Sequence, residues 1–373
     1  MTARRSAFAF AAATLLGAPA LAHHGFGTFD RNTEITLTGT ITGVDFVNPH
    51  AWVYFDVRGE NGEVEAWRCE MRSATTLRRS GWSKEMFVAG EPITITGAPD
   101  RRDPRACYVN TAVFADGTTA DRYAQLTRPA PPEARAAERP ARLPTGEPNI
   151  FGDWAPEQLV MVDTRGRGGN LVPVSIAERL AAAGAQEADA VQSTNFRQYR
   201  TRDVELTPAG REAAERFQTL STENPRMRCE TTSILFDWPY DGAINRISKR
   251  GDTIVLEYGQ FGFTRTVHMN MREHPADIEP SRGGHSIGRW EGDVLVVDTV
   301  GFAPGVLSPP VMHSGELHVV ERFSLDPERH TLTREYVATD PVYFVGRYEG
   351  SDTLEVADLP YSPDPCKELS PSL

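Results

Sequence analysis

The chain has 373 residues and a formal charge of −12, with 51 acidic against 39 basic residues. That length accommodates two domains with separate cores, and the acidic balance excludes general affinity for nucleic acid or anionic membrane, both of which require basic surface. Beyond the N-terminus no segment approaches the roughly 18 apolar residues of a membrane span, so no membrane insertion is expected.

The first residues have the form of a secretory signal. Arg4 and Arg5 supply a positive end, Ala7 to Gly17 an apolar run, and Ala20-Leu21-Ala22 a small-x-small cleavage site. Residues 1–22 are therefore read as a signal peptide cleaved after Ala22, which places the mature protein in the periplasm or outside the cell. Export permits disulfides. The four cysteines divide into Cys69 and Cys107 early and Cys229 and Cys366 late, and pairing within each half is the economical assignment, although three connectivities are formally open. No CxxC occurs, which disfavours a zinc knuckle or a redox dithiol.

Residues 23–126 read as a small β domain. Ile35, Leu37 and Ile41 alternate with polar residues, and then the parity changes at Val44 and Phe46, which predicts a bulge at Gly39 or Gly43. Val53–Val57 and Val64–Met71 follow across an Asn-Gly turn, Ser73 to Phe87 is at least partly helical, and strands at Ile93–Ile95 and Tyr108–Phe114 complete the set. Five strands with a helix between the third and fourth is the order of an OB-type barrel. Residues 127–148 are rich in proline and read as an extended linker.

Residues 149–373 form the second domain. Ser175–Gly184 and Pro208–Leu220 are amphipathic helices, the second entered through Thr207-Pro208. From Thr232 onward up to ten short strands succeed one another, centred on the apolar run Val294–Val297. The first is expected at Thr232–Phe236 and one of the last at Val342–Tyr348. This pattern points to a closed antiparallel barrel. The predicted fold is thus mainly β: a five-stranded OB-like barrel joined by a Pro-rich linker to a lipocalin-like antiparallel β-barrel with helical insertions. The lipocalin comparison rests on Gly152-x-Trp154 at the entrance to the second domain, since lipocalins carry a Gly-x-Trp on their first strand.

Two groups of residues carry further resemblances. His23-His24-Gly25-Phe26, Leu37-Thr38-Gly39-Thr40-Ile41, Asn48-Pro49-His50-Ala51-Trp52 and the Leu77–Trp82 segment resemble an uncharacterised family of secreted bacterial domains with paired N-terminal histidines and an Asn-Pro-His-Ala-Trp motif. Gly284–Asp293 (GHSIGRWEGD) and Leu317–Phe323 resemble a second uncharacterised family of secreted bacterial proteins. Both resemblances imply export and architecture, and neither implies a reaction.

Two clusters could carry chemistry. After cleavage His23 would offer its α-amine and imidazole to one metal, with His24 and His50 completing a nitrogen set; Cu(II) is the divalent ion such a set suits best. The plain alternative is a frayed terminus and a histidine packed in a turn. In the barrel, alternation places Arg265 inward with Phe263, Val267 and Met269, and His268 outward. The same rule groups Asp298 with Val294, Val296 and Val300, read as inward, and Glu321 with Val319 and Phe323, with His318 opposite. Arg265, Asp298 and Glu321 would then hold a polar ligand group inside an apolar cavity or form buried ion pairs, while His285 and His313 sit in loops at strand starts by the mouth, and His285 and His318 are counted with the three charged residues as ligand-binding candidates. No nucleophile elbow, phosphate loop, dinucleotide fingerprint or HExxH motif is present. The expected function is that of an exported two-domain β protein binding a small molecule, a metal ion or both. The rival is an isomerase- or hydrolase-type enzyme using polar residues inside the second barrel, and a third reading is an envelope scaffold.

Overall fold

The computed structural model describes residues 28–59, 61–122, 126, 131–136, 139–162, 170–183, 204–218, 221, 223–240, 242–362 and 366–367. The signal segment, His23 and His24 lie outside these residues.

Six strands build the first unit: β1 (Ile35–Asp45), β2 (Trp52–Arg58), β3 (Val64–Glu70), β4 (Pro92–Pro99), β5 (Ala106–Phe114) and β6 (Thr119–Asp121). β1 is long enough to pair with both β2 and β4, and it does so by bending at a bulge between Ile41 and Gly43. β5 pairs antiparallel with β4 and parallel with β3, which closes a five-stranded barrel in the predicted order. Phe55, Ile95, Val53 and Trp82 fill it, and Cys69–Cys107 joins the parallel pair β3–β5 across a Cα–Cα distance of 4.4 Å. Helix α1 (Ala74–Arg79) lies between β3 and β4, capped by the Ser73 hydroxyl, which accepts from the Thr76 amide.

The second barrel has nine strands. β7 (Gly152–Ala155) comes first, followed after the helical insertion by β8 (Asn245–Arg250), β9 (Thr253–Glu257), β10 (Thr264–His268), β11 (His285–Glu291), β12 (Val294–Val300), β13 (His318–Asp326), β14 (Thr331–Thr339) and β15 (Tyr348–Val356). β7 pairs with both β8 and β15 and so closes the ring. Trp154, the tryptophan of the Gly-x-Trp motif, is fully buried on this closing strand, with the Arg139 guanidinium 4.3 Å over its ring. An odd number of strands cannot alternate in direction around a closed ring. One pair must therefore be parallel, and it is β10–β11, held by only two residue pairs, Val267–Ser286 and His268–Ile287. The expectation of a wholly antiparallel barrel is corrected at this seam.

Three other expectations are revised. Thr232–Phe236 is not a strand: Asp237 accepts from the amides of Thr232 and Ser233, and the Ser233 hydroxyl accepts from those of Leu235 and Phe236, so the segment coils. It forms a plug that drives Ile234, Leu235 and Trp238 into the barrel core. The Val342–Tyr348 strand shrinks to Phe344–Val345, which pairs with Glu205–Leu206. The proline-rich stretch is not a free spacer. Its short helix α2 (Pro132–Ala136) lies on the barrel, where Arg135 donates to the Val356 carbonyl at 2.8 Å and to Glu355 at 3.1 Å. Helices α3 (Val174–Ala183) and α4 (Pro208–Arg216) form as predicted, the latter capped by Thr207, which accepts from the Gly210 amide.

The two barrels meet along α1. The buried Arg79 donates to Asp358 at 2.8 Å and to the Pro156 carbonyl at 2.7 Å, and Gln158 returns a bond to the Arg79 carbonyl. Asn48, from the Asn-Pro-His-Ala-Trp motif, accepts from the Thr75 amide through its side chain and from the Lys367 amide through its carbonyl. The adjacent Cys366 is bonded to Cys229, so the second disulfide fastens the C-terminal tail between the barrels.

Candidate functional site

The sequence leads to the expectation of a ligand inside the second barrel. Arg265 does point inward, and its partner is Glu321, at 2.5 Å. Glu321 also accepts from Arg334 at 3.1 Å, and Arg334 binds Asp352 at 2.5 Å and the carbonyls of Ile234 and Leu235 in the plug. All four charged groups are at least nine-tenths buried, and Trp238, Tyr258 and Phe323 pack among them. Two cations and two anions thus neutralise one another inside a filled barrel. Such a network is a structural ion-pair core, in which the charges are tolerated because each is paired.

Asp298 is not part of it. Its face of β12, shared with Val294, Val296 and Val300, is the outer one; Leu295, Val297 and Thr299 point to the core. Val296 is buried all the same, because Arg289 and Arg322, its ladder partners on either side, are both bound to Glu291 at 2.9 Å and lay their stems over it.

On this outer face the structure assembles a cluster that the sequence did not foretell as a unit. Asp298 Oδ1 stands 2.9 Å from His318 Nε2 and 3.0 Å from His274 Nε2. His274 Nδ1 lies 2.9 Å from His285 Nδ1, and the His285 ring is stacked on His268 at 5.0 Å between centroids. Four of the nine histidines of the chain are thereby gathered around one carboxylate. Three come from strand positions of outward parity: His268 ends β10, His285 begins β11 and His318 begins β13. His274 comes from the connection between β10 and β11, which Ser281 pins down: its amide donates to the Gly301 carbonyl and its own carbonyl accepts from Ala303.

Charge in the cluster is unevenly distributed. Burial alone would push the Asp298 carboxyl up, but the hydrogen bonds from His318 and His274 outweigh it and hold the group below its ordinary value. His318 is raised, chiefly by its hydrogen bond to Asp298. His285 is lowered, by burial first and then by the neighbouring His268 and His274. Among the described residues no group of three His, Cys, Asp or Glu side chains surrounds a common ion position.

Beside the cluster the wall opens. Beyond the two-residue parallel seam, Met269 to Arg272 diverge from Ile287 to Trp290, and a cleft of about 720 Å³ lies between them. Its walls are mixed: Phe151, Ile254, Met269, Met271, Ile287 and Trp290 supply apolar surface, Lys249, Asp252, Asn270, Arg272 and Arg289 supply polar and charged groups, and residues 143 and 147 of the proline-rich stretch reach its edge. Gly288 permits the divergence: a Cβ there would stand 2.6 Å from Met269 Sδ. Ile287 joins the cleft to the cluster, since it lines the one while its ladder partners are His268 and Asp298 of the other.

In the first barrel, His50 Nδ1 lies 2.8 Å from the fully buried Glu70 carboxylate, which orients the half-buried imidazole. Sequence reasoning missed His268 and His274 as site residues. His268 had the right parity, but His274 sits in a segment without periodicity.

Residues 12–108 match a family of unknown function (DUF6152), a match that ends in β5 and leaves the second barrel outside it. No curated protein and no solved structure shows significant similarity to the chain.

Proposed function

We propose that the chain is an exported binding protein that takes a small molecule with both apolar and polar groups into the cleft at the parallel seam of the second barrel. The observation that carries this is the cleft itself: its volume falls in the 300–1,000 Å³ range of small-molecule sites, and it sets the apolar side chains of Phe151, Ile254, Met269, Met271, Ile287 and Trp290 beside charged groups that could fix a ligand's orientation. The site thus lies in the barrel wall, because the interior is occupied by paired charges and aromatic side chains. Export is part of the reading. It is supported by the Arg4–Ala22 pattern, by two disulfides of the kind that persist in oxidising compartments, and by the absence, among the described residues, of a helix long and apolar enough to cross a membrane. Native mass spectrometry of protein recovered from the periplasm tests both parts. The expected result is a chain starting at His23 with a retained small molecule that is lost in Met271→Asp, which charges the cleft wall. An intact N-terminus, or equal retention by the variant, contradicts the proposal.

A second reading is favoured by one observation. The carboxylate of Glu70 behind His50 Nδ1 is the arrangement that orients a metal-binding imidazole and leaves Nε2 as the donor. With His23 and His24 delivered to it, His50 would complete a Cu(II) site. One residue added before His23 displaces the α-amine and abolishes such binding; unchanged copper affinity contradicts the reading.

A further inference from the structure

We infer that Asp298, His274 and His285 form a proton relay that makes His285 a general base, and that the barrel therefore performs proton-transfer chemistry on the molecule in the cleft. The inference goes beyond binding and rests on the cleft only for the seat of the substrate.

The hydrogen-bond directions follow from the chemistry of the atoms. An ionised Asp298 can only accept, so the Nε2 atoms of both His274 and His318 must donate to it. A neutral His274 with its proton on Nε2 has a lone pair on Nδ1. That lone pair can accept only if His285 donates from its own Nδ1, 2.9 Å away. His285 is then left with its lone pair on Nε2. One carboxylate thereby fixes the tautomers of two rings in series, and the last nitrogen in the series is a base. His274 and Asp298 are positioning residues; His285 is the group assigned to meet the substrate.

The same chain provides for the charge. When His285 Nε2 takes a proton, the Nδ1 proton passes to His274 Nδ1, and the positive charge comes to rest on an imidazolium whose Nε2–H faces Asp298. His285 ends neutral, and the charge is held on His274 against the Asp298 carboxylate. The groups facing His285 are His274 from the connecting loop and His268 from β10, with Asp298 on β12 and His318 on β13 behind them. His268 and His274 disfavour an imidazolium on His285, which keeps it available as a base at neutral pH. His285 stands outside the cleft lining, roughly 7 Å along the same face of β11 from Ile287, which is on the cleft wall, so the substrate must extend from the cleft over Ile287 to bring its C–H to His285 Nε2. A proton shift of this kind needs neither oxidant nor co-reactant. The substrate class is a small molecule with an activated C–H, such as a carbonyl compound that isomerises through its enolate.

A nitrobenzisoxazole tests the base directly. The base removes the ring C–H proton, the C–H electron pair completes a nitrile, and the N–O bond breaks with its pair on the phenolate, which is read by its absorbance. The full mature chain should open the ring about tenfold or more faster than His285→Ala and His285→Gln, the low end of the usual contribution of a positioned base. Its rate should hold at pH values where free imidazole is already protonated. Asp298→Asn should lose most of this rate and shift the profile, because an amide can donate to His274 and reverse the tautomer. Histidine 15N NMR of the same samples reads the tautomers without any ligand: wild-type His285 should carry its proton on Nδ1. Equal ring opening by wild type and both His285 variants overturns the inference, as does a proton on Nε2 of His285. A correct tautomer with no binding at the cleft overturns the Proposed function alone.

Discussion

Glu321 sits between two guanidinium groups, and its neutralisation is the sharpest perturbation of the barrel interior. The side chain is fully buried and accepts from Arg265 at 2.5 Å and Arg334 at 3.1 Å. In Glu321→Gln the amide oxygen can still serve one arginine, but its NH2 then faces the other donor to donor. Arg334 retains Asp352 and two backbone carbonyls. Arg265 retains nothing comparable: its Nε and Nη2 are buried with no hydrogen-bond partner among the described residues. Removing one partner of a buried pair costs about 3–5 kcal/mol, because the other charge is stranded. For a barrel of this size that corresponds to a fall in melting temperature of roughly 6–20 °C. The assay is urea unfolding followed by the near-ultraviolet signal of Trp238, over which Arg334 lies at 5.8 Å. Adding Arg265→Met removes the stranded charge and should recover part of the loss, with a coupling of about 0.5–3 kcal/mol. If Glu321→Gln costs less than about 1 kcal/mol, or the double variant is no better than the single, the paired-core account is wrong.

The remaining predictions concern the outer cluster and the joint between the barrels. His318 is raised above 6.5, so its contribution is complete below that value and lost as pH rises through the folded value; Asp298 is lowered below 3.8, so its contribution is present above that value and lost as pH falls through the folded one. The stability gap between wild type and His318→Ala should therefore be widest near pH 5–6 and close by pH 9 in parallel thermal melts, and a gap that widens with pH contradicts the pairing. His285, lowered below 6.5, acts in the opposite sense: wild type should lose stability relative to His285→Gln as pH falls below that value. Cys229–Cys366 closes a loop spanning 137 residues, and the Cys229→Ser/Cys366→Ser pair should lose up to roughly 4–5 kcal/mol on the chain-entropy account. Arg79→Ala, which strands Asp358, should loosen the two barrels and expose the 79–80 peptide to protease, whereas unchanged proteolysis would show that the ion pair does not hold the joint.

Much of this architecture was legible because it is written in short-range patterns. Alternation along β10 and β13 gave the correct faces for Arg265, His268, Glu321 and His318, and the change of parity after Ile41 announced a bulge at Gly39 or Gly43, of which the second adjoins the observed one. The even division of cysteines gave both disulfides. Asp298 was misplaced for a physical reason: Val294–Val297 is apolar on both faces, so alternation there carries no information about which side is the core. The Glu291 clamp that buries Val296 from outside depends on two other residues brought alongside by the sheet. Thr232–Phe236 has strand-like composition, but Ser233 and Asp237 use their side chains to satisfy the amides that a ladder would need. The parallel seam was out of reach, since it follows from counting nine strands, and β7 is separated from β8 by the helical insertion. The cleft and the histidine cluster both depend on that seam.

The central claim is that the parallel seam is where this protein meets its ligand. Methionine-methyl NMR tests it most directly, because Met269 and Met271 line the cleft while Met71, Met227 and Met312 lie elsewhere in the fold. Titration of the protein with anilinonaphthalene sulfonate, an apolar probe with one anionic group, should move the Met269 and Met271 signals saturably and leave those of Met71, Met227 and Met312 unchanged. Shifts confined to methionines away from the seam, or no saturable shift at Met269 and Met271, would contradict the account.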